Sequence, residues 1–120
     1  MQSTKNLVFS RRIGFAWQGL SAAYRKENSF RTQVWIAIGT VLMLALLQPG
    51  WLWSGLIVAL IGLVLLAELF NTAIEALLDG LHPAHAGFVK LAKDVAAGAA
   101  LVASITAALA GMAMIMDVLF

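Results

Sequence analysis

The sequence predicts an all-α integral membrane protein, with an N-terminal amphipathic surface helix followed by three transmembrane helices. Three observations predict it. Apolar residues make up 62% of the 120 positions and charged residues 12%, against roughly 45–50% and about 25% in soluble domains. A chain this short buries too small a share of its surface to hide that excess from water. The charges are also segregated. Six of the eight basic residues (Lys5, Arg11, Arg12, Arg25, Lys26 and Arg31) precede position 32, and no charge occurs from Thr32 to Ala67 or from Val95 to Met116. Finally, only two prolines interrupt the chain, which favours long helices. A mean hydropathy of +0.90 agrees, and a soluble globular protein is excluded. With no cysteine, a disulfide framework and thiolate metal sites are excluded too. Eight scattered basic residues are too few for a nucleic-acid footprint. The length is that of one domain, residues 1–120.

The first element is a surface helix over about 5–28. Phe9, Ile13, Trp17, Leu20 and Tyr24 recur every three to four residues, while Arg11, Arg12, Gln18, Ser21 and Arg25 fall elsewhere on the wheel. Such a helix suits the membrane interface. The segment lacks the apolar stretch and cleavage site of a signal peptide. The uncharged run from Thr32 is too long for one span of roughly 20 residues, and Gln48-Pro49-Gly50 divides it with turn chemistry. Span one is therefore 32–47 and span two 51–79; the third uncharged run places span three at 91–118. Lys and Arg placement puts the N-terminus and the loop bearing Lys90 and Lys93 on the cytoplasmic side, and the uncharged Gln48–Gly50 turn outside. Span three carries rows of small residues, Ala96/Ala100/Ser104/Ala108 and Ala103/Ala107/Gly111. Rows of this kind let membrane helices approach closely, and they predict a homo-oligomer or close packing within the chain.

Span two ends unlike a membrane helix. At about 100° per residue, Glu75 and Asp79 each project within about 20° of Glu68, with Asn71 and Thr72 beside them. This polar stripe covers roughly 16 Å of helix. An acid at the centre of a span costs roughly 2.5–3.5 kcal/mol, so a functional site is the default reading. Three acids need cations. Lys93 and Arg31 are available at the membrane boundary, and so is a divalent ion: carboxylate and amide oxygens suit Mg²⁺, which shares its coordination with phosphates and water. Glu27 and Arg31, four residues apart, stand at the start of span one, either as a helix ion pair or as part of that site. Lys93-Asp94 opens span three at the same depth, Asp94 also suiting a helix N-terminus. His82 and His85 read as exposed loop residues. Neither GxxxxGK[ST] nor GxGxxG occurs, so any nucleotide must be held by carboxylates, metal and lysine.

Glu68-x-x-Asn71-Thr72-Ala73-x-Glu75-x-x-x-Asp79, followed by Ala92-Lys93-Asp94-x-x-Ala97-Gly98-Ala99, closely resembles the signature of the small prokaryotic diacylglycerol kinase family. Trp17-x-Gly19-Leu20-x-Ala22-Ala23 and Glu27-x-x-Phe30-Arg31 are similar to its surface helix and first span. The resemblance covers roughly residues 10–118. It implies a homotrimeric helical bundle in the bacterial inner membrane, with active sites shared between neighbouring chains. It implies an ATP-dependent lipid kinase that phosphorylates 1,2-diacylglycerol to phosphatidic acid with Mg²⁺, or alternatively the undecaprenol kinase of the same family. Carried over residue by residue, Glu68 would be the general base. Glu27, Asn71 and Glu75 would hold metal, Lys93 would bind nucleotide phosphates, and Asp79 and Asp94 would contact the nucleotide or order the site; Arg31 and Asn71 would stand at the nucleotide too. A rival of another class is a small transporter with an embedded glutamate. It would need a fourth apolar run and a mid-span acid, whereas here Glu75, Asp79, Lys93 and Asp94 gather at one boundary.

Overall fold

The structure, a computed structural model, describes residues 8–81 and 87–120. It contains four helices: α1 (Phe9–Lys26), α2 (Asn28–Leu47), α3 (Trp51–Leu81) and α4 (Gly87–Leu119). The last three are long and apolar enough to cross a membrane. His82 and His85 lie outside the described residues, as does the beginning of the segment expected to start near position 5.

α1 is exposed along almost its whole length and buries only Ala23. It stops at Glu27, a single extended residue (φ −108°, ψ 111°), and α2 starts at once. The first membrane helix thus begins at Asn28, ahead of the uncharged run at Thr32. Charge marks where apolar solvent can begin, not where helical hydrogen bonding does. Because Glu27 lies outside both helices, the helix ion pair with Arg31 does not form. The Arg31 guanidinium instead donates to Asn28 Oδ1 at 3.1 Å and lies 5.8 Å from the centre of the Tyr24 ring. The Trp35 indole N–H donates to the Tyr24 hydroxyl at 3.1 Å. These contacts tie α1 to α2 across the break.

At the other end of α2 the chain reverses within three residues. Gln48 takes a left-handed conformation (φ 47°), its N–H donating to the Leu44 carbonyl at 2.9 Å. Gly50 follows at φ 103°, where a side chain would be strained.

α3 and α4 run antiparallel and make the main packing contact of the chain. The Trp53 indole N–H donates to Asp117 at 2.8 Å near one end of the pair, and Lys93 meets Asp79 near the other. Ala96 and Ala100 are buried within the chain, whereas Ala108 of the same row is exposed. Part of the small-residue row therefore serves the intrachain contact, the second of the two readings of its sequence. A small core of Leu44, Ile57 and Met114, flanked by Trp53, Ile61 and Val118, joins α2, α3 and α4. Elsewhere the long helices turn large apolar side chains outward, among them Trp35, Leu46, Trp51 and Phe70.

Candidate active site on the polar stripe of α3

α3 buries Ile57, Val64 and Glu68. These positions are seven and then four residues apart, so they share one helical face. The carboxylate therefore comes inward because it continues the face that carries the apolar core. Glu68 is 5% exposed and is the buried charged residue among those described. A buried charge requires hydrogen-bonding partners. The Ser29 hydroxyl, in the first turn of α2, donates to Glu68 Oε2 at 3.0 Å. Thr72 makes no contact with the carboxylate; its hydroxyl donates to the Glu68 backbone carbonyl at 2.9 Å.

One turn further along α3, Asn71 Oδ1 is buried with no hydrogen-bond partner. Leaving such an acceptor unsatisfied costs about 1–3 kcal/mol. It is an oxygen on the stripe between Glu68 and the half-buried Glu75. Asn71 and Glu75 thus fit the all-oxygen donor set that Mg²⁺ takes. Among the described residues no three acidic or histidine side chains converge as a metal cluster. The described residues therefore line the stripe with oxygens without closing a cage. Glu27 sits half-buried at the α1–α2 break.

Beyond Glu75 the stripe becomes exposed and ionic. Lys93 Nζ pairs with Asp79 Oδ1 at 2.5 Å, bringing α4 to α3, and Glu75 adds its negative field at Lys93. Asp94 pairs with Lys90 one turn back on its own helix, at 2.6 Å. The structure so lines Glu68, Asn71, Glu75 and Asp79 along one face of α3, with Ser29 of α2 meeting Glu68 at one end and Lys93 of α4 meeting Asp79 at the other. It leaves Asp94 on an exposed pair of its own and Arg31 on Asn28 and Tyr24, without a carboxylate.

On the other side of Glu68 lies a cavity of about 300 Å³ between α2, α3 and α4. It begins at Val64 and Leu65, one turn before Glu68, and runs between apolar side chains as far as Met114 and Ile115. Its polar lining includes Gln33 and Ser104, joined by a hydrogen bond of 3.2 Å from the Gln33 amide. An apolar cavity, a buried carboxylate, an unpartnered amide oxygen and, from α4, a half-buried cationic group therefore follow one another along the length of α3. Ser29, Gln33 and Ser104 were not among the residues that sequence singled out for the site. Each is an ordinary polar residue in an apolar helix, and only contact between helices gives it a role.

The family model described as prokaryotic diacylglycerol kinase matches residues 14–115. A diacylglycerol kinase of Synechocystis sp. is 32% identical over 111 residues, covering 92% of this chain and 62% of that protein. The chain thus spans less than two thirds of that relative's length. Diacylglycerol kinases of Escherichia coli (strain K12) and Shigella flexneri are each 32% identical over 99 residues, covering 78% of this chain and 77% of theirs.

Proposed function

Because the chain belongs to the prokaryotic diacylglycerol kinase family, we propose that it is a membrane lipid kinase, transferring the γ-phosphoryl group of ATP to 1,2-diacylglycerol to give phosphatidic acid and ADP. The observation that carries this reading is Glu68, a buried carboxylate between an apolar cavity and a polar seam that ends at Lys93. A water-soluble donor and a membrane-soluble acceptor can meet only at such a boundary. The acceptor's acyl chain has the cavity and the surrounding lipid to lie in, and its hydroxyl comes to Glu68.

Phosphoryl transfer needs mainly positioning and charge neutralisation. Glu68 accepts the proton of the acceptor hydroxyl as that oxygen bonds to the γ-phosphorus and ADP leaves. Lys93, released from Asp79, binds the phosphates as a point charge. Asp79 and Asp94 order the lysines that meet the nucleotide, and Arg31, fixed by Asn28 and Tyr24, stands at the same boundary. Asn71, Glu75 and Glu27 would hold Mg²⁺, which supplies further neutralisation of the phosphates. The surface helix lies in the membrane interface with the N-terminus cytoplasmic, in a bacterial inner membrane. The exposed apolar faces are covered by lipid and by two further copies in a homotrimer.

ATP consumption by the purified protein in mixed micelles tests the reading, with diacylglycerol and undecaprenol compared side by side. Diacylglycerol should give the greater turnover. A preference for undecaprenol would reassign the acceptor, and turnover with neither lipid would overturn the kinase reading.

A further inference from the structure

The Glu68 carboxylate has an unusual partner set for a buried charge. The two ion pairs among the described residues, Lys90–Asp94 and Lys93–Asp79, both lie further along the α3–α4 hairpin. Thr72 spends its hydroxyl on the backbone. Asn71 turns a carbonyl oxygen, itself unpartnered, into the buried interior. Among the described residues, the one side-chain donor to the carboxylate is therefore the Ser29 hydroxyl, on Oε2 at 3.0 Å.

A neutral donor does something that a cation would not. A lysine or arginine would both orient the carboxylate and cancel its charge. A hydroxyl fixes one oxygen and leaves the charge in place. With Oε2 engaged, Oε1 is the oxygen left to take a proton. We infer that Ser29 is a positioning residue for phosphoryl transfer, holding Oε2 of Glu68 so that Oε1 meets the acceptor hydroxyl. The inference rests on the reading of Glu68 as the general base.

The backbone explains how Ser29 reaches that place. The single extended residue at Glu27 ends α1 and starts α2, so Ser29 falls in the first turn of the new helix. Moving the break by one residue would turn the hydroxyl by about 100° around the axis of α2, away from α3. The same break sets the N-terminal end of α2 near the carboxylate, where the helix dipole favours negative charge.

The test uses the full-length protein in lipid micelles and four substitutions. Ser29→Thr keeps the hydroxyl and Ser29→Val removes it at nearly equal shape, both branched at Cβ and so equally costly to the helix. Ser29 is exposed overall, so neither change opens a cavity. Ser29→Ala gives a second removal that favours the helix. Glu68→Gln should lower kcat by roughly 10²–10⁴, the usual worth of a general base. S29V and S29A should lower kcat roughly ten- to hundredfold, as a misplaced group does, with KM for ATP and lipid unchanged. S29T should restore turnover. In the E68Q background, S29A should cost nothing more, because Ser29 acts through the carboxylate. If E68Q is impaired but S29V and S29A turn over like wild type, or if S29A costs as much in E68Q as alone, the positioning role is overturned while the base stands. If E68Q itself turns over normally, the base reading fails and the inference with it.

Discussion

Asn71 and Glu75 present oxygens beside a carboxylate that pairs with no cation among the described residues. A site with so few ligands should respond sharply to the loss of one. Glu75→Ala should raise the Mg²⁺ concentration needed for half-maximal activity or abolish activity, with the thermal midpoint in detergent unchanged, because Glu75 is not part of the buried core. A Mg²⁺ titration superimposable on that of wild type would overturn the metal role. The stripe itself was readable in sequence because its residues share one helix, and a 3.6-residue period places side chains on a face without knowledge of any partner. Ser29 was not readable. A serine three residues before an uncharged run looks like a helix start, and its hydrogen bond crosses 39 positions of sequence to another helix. The Lys93–Asp79 contact fell between these cases: complementary charge at one membrane depth suggested a partner, but only the antiparallel hairpin selected Asp79.

The elements show the same division. The α2–α3 turn was visible because Pro49 and Gly50 announce it, and the positive φ at Gly50 shows why glycine stands there. A break between the surface helix and span one was expected at 28–32 from charge, but its place at Glu27 was not visible, since Lys26-Glu27-Asn28 contains neither glycine nor proline. It is held by the contacts of Tyr24 with Trp35 and Arg31 rather than by local propensity. The small residues of α4 were visible as a row but ambiguous in direction. Burial of Ala96 and Ala100 now gives part of that row to α3. Ala100→Leu should therefore overpack the hairpin, a change that typically costs about 1–3 kcal/mol. Thermal denaturation in detergent should show a lower midpoint for A100L than for A113L, since Ala113 is exposed. Equal midpoints would mean that α3 and α4 do not approach closely at Ala100.

At the scale of the whole molecule, the described residues bury little apolar surface against one another. The few buried side chains lie among many exposed apolar ones, and among the described residues no three acidic or histidine side chains converge. Lys93 meets Asp79, eleven residues past Glu68, which is about 16 Å at helical rise. On the proposed kinase reading, a phosphoryl group beside Glu68 would then draw its lysine from a neighbouring copy. Mixing the inactive variants Glu68→Gln and Lys93→Ala, under conditions where subunits exchange, should restore activity. Some mixed assemblies then regain a site with both residues intact. No recovery, with exchange verified independently, would show that both residues of a site come from one chain.

The lengths of α3 and α4 carry a last consequence. With 31 and 33 residues, they extend about 46 and 50 Å, well beyond a hydrocarbon layer of about 30 Å. The surplus acts as a ruler laid across the bilayer. On the proposed lipid-kinase reading, a change in membrane thickness would shift the polar stripe relative to acceptor hydroxyls at the lipid surface. Turnover in vesicles of graded acyl length should therefore pass through an optimum, and a flat response would remove the ruler. A cell that changes the length of its fatty acids with temperature would, by that alone, retune this protein.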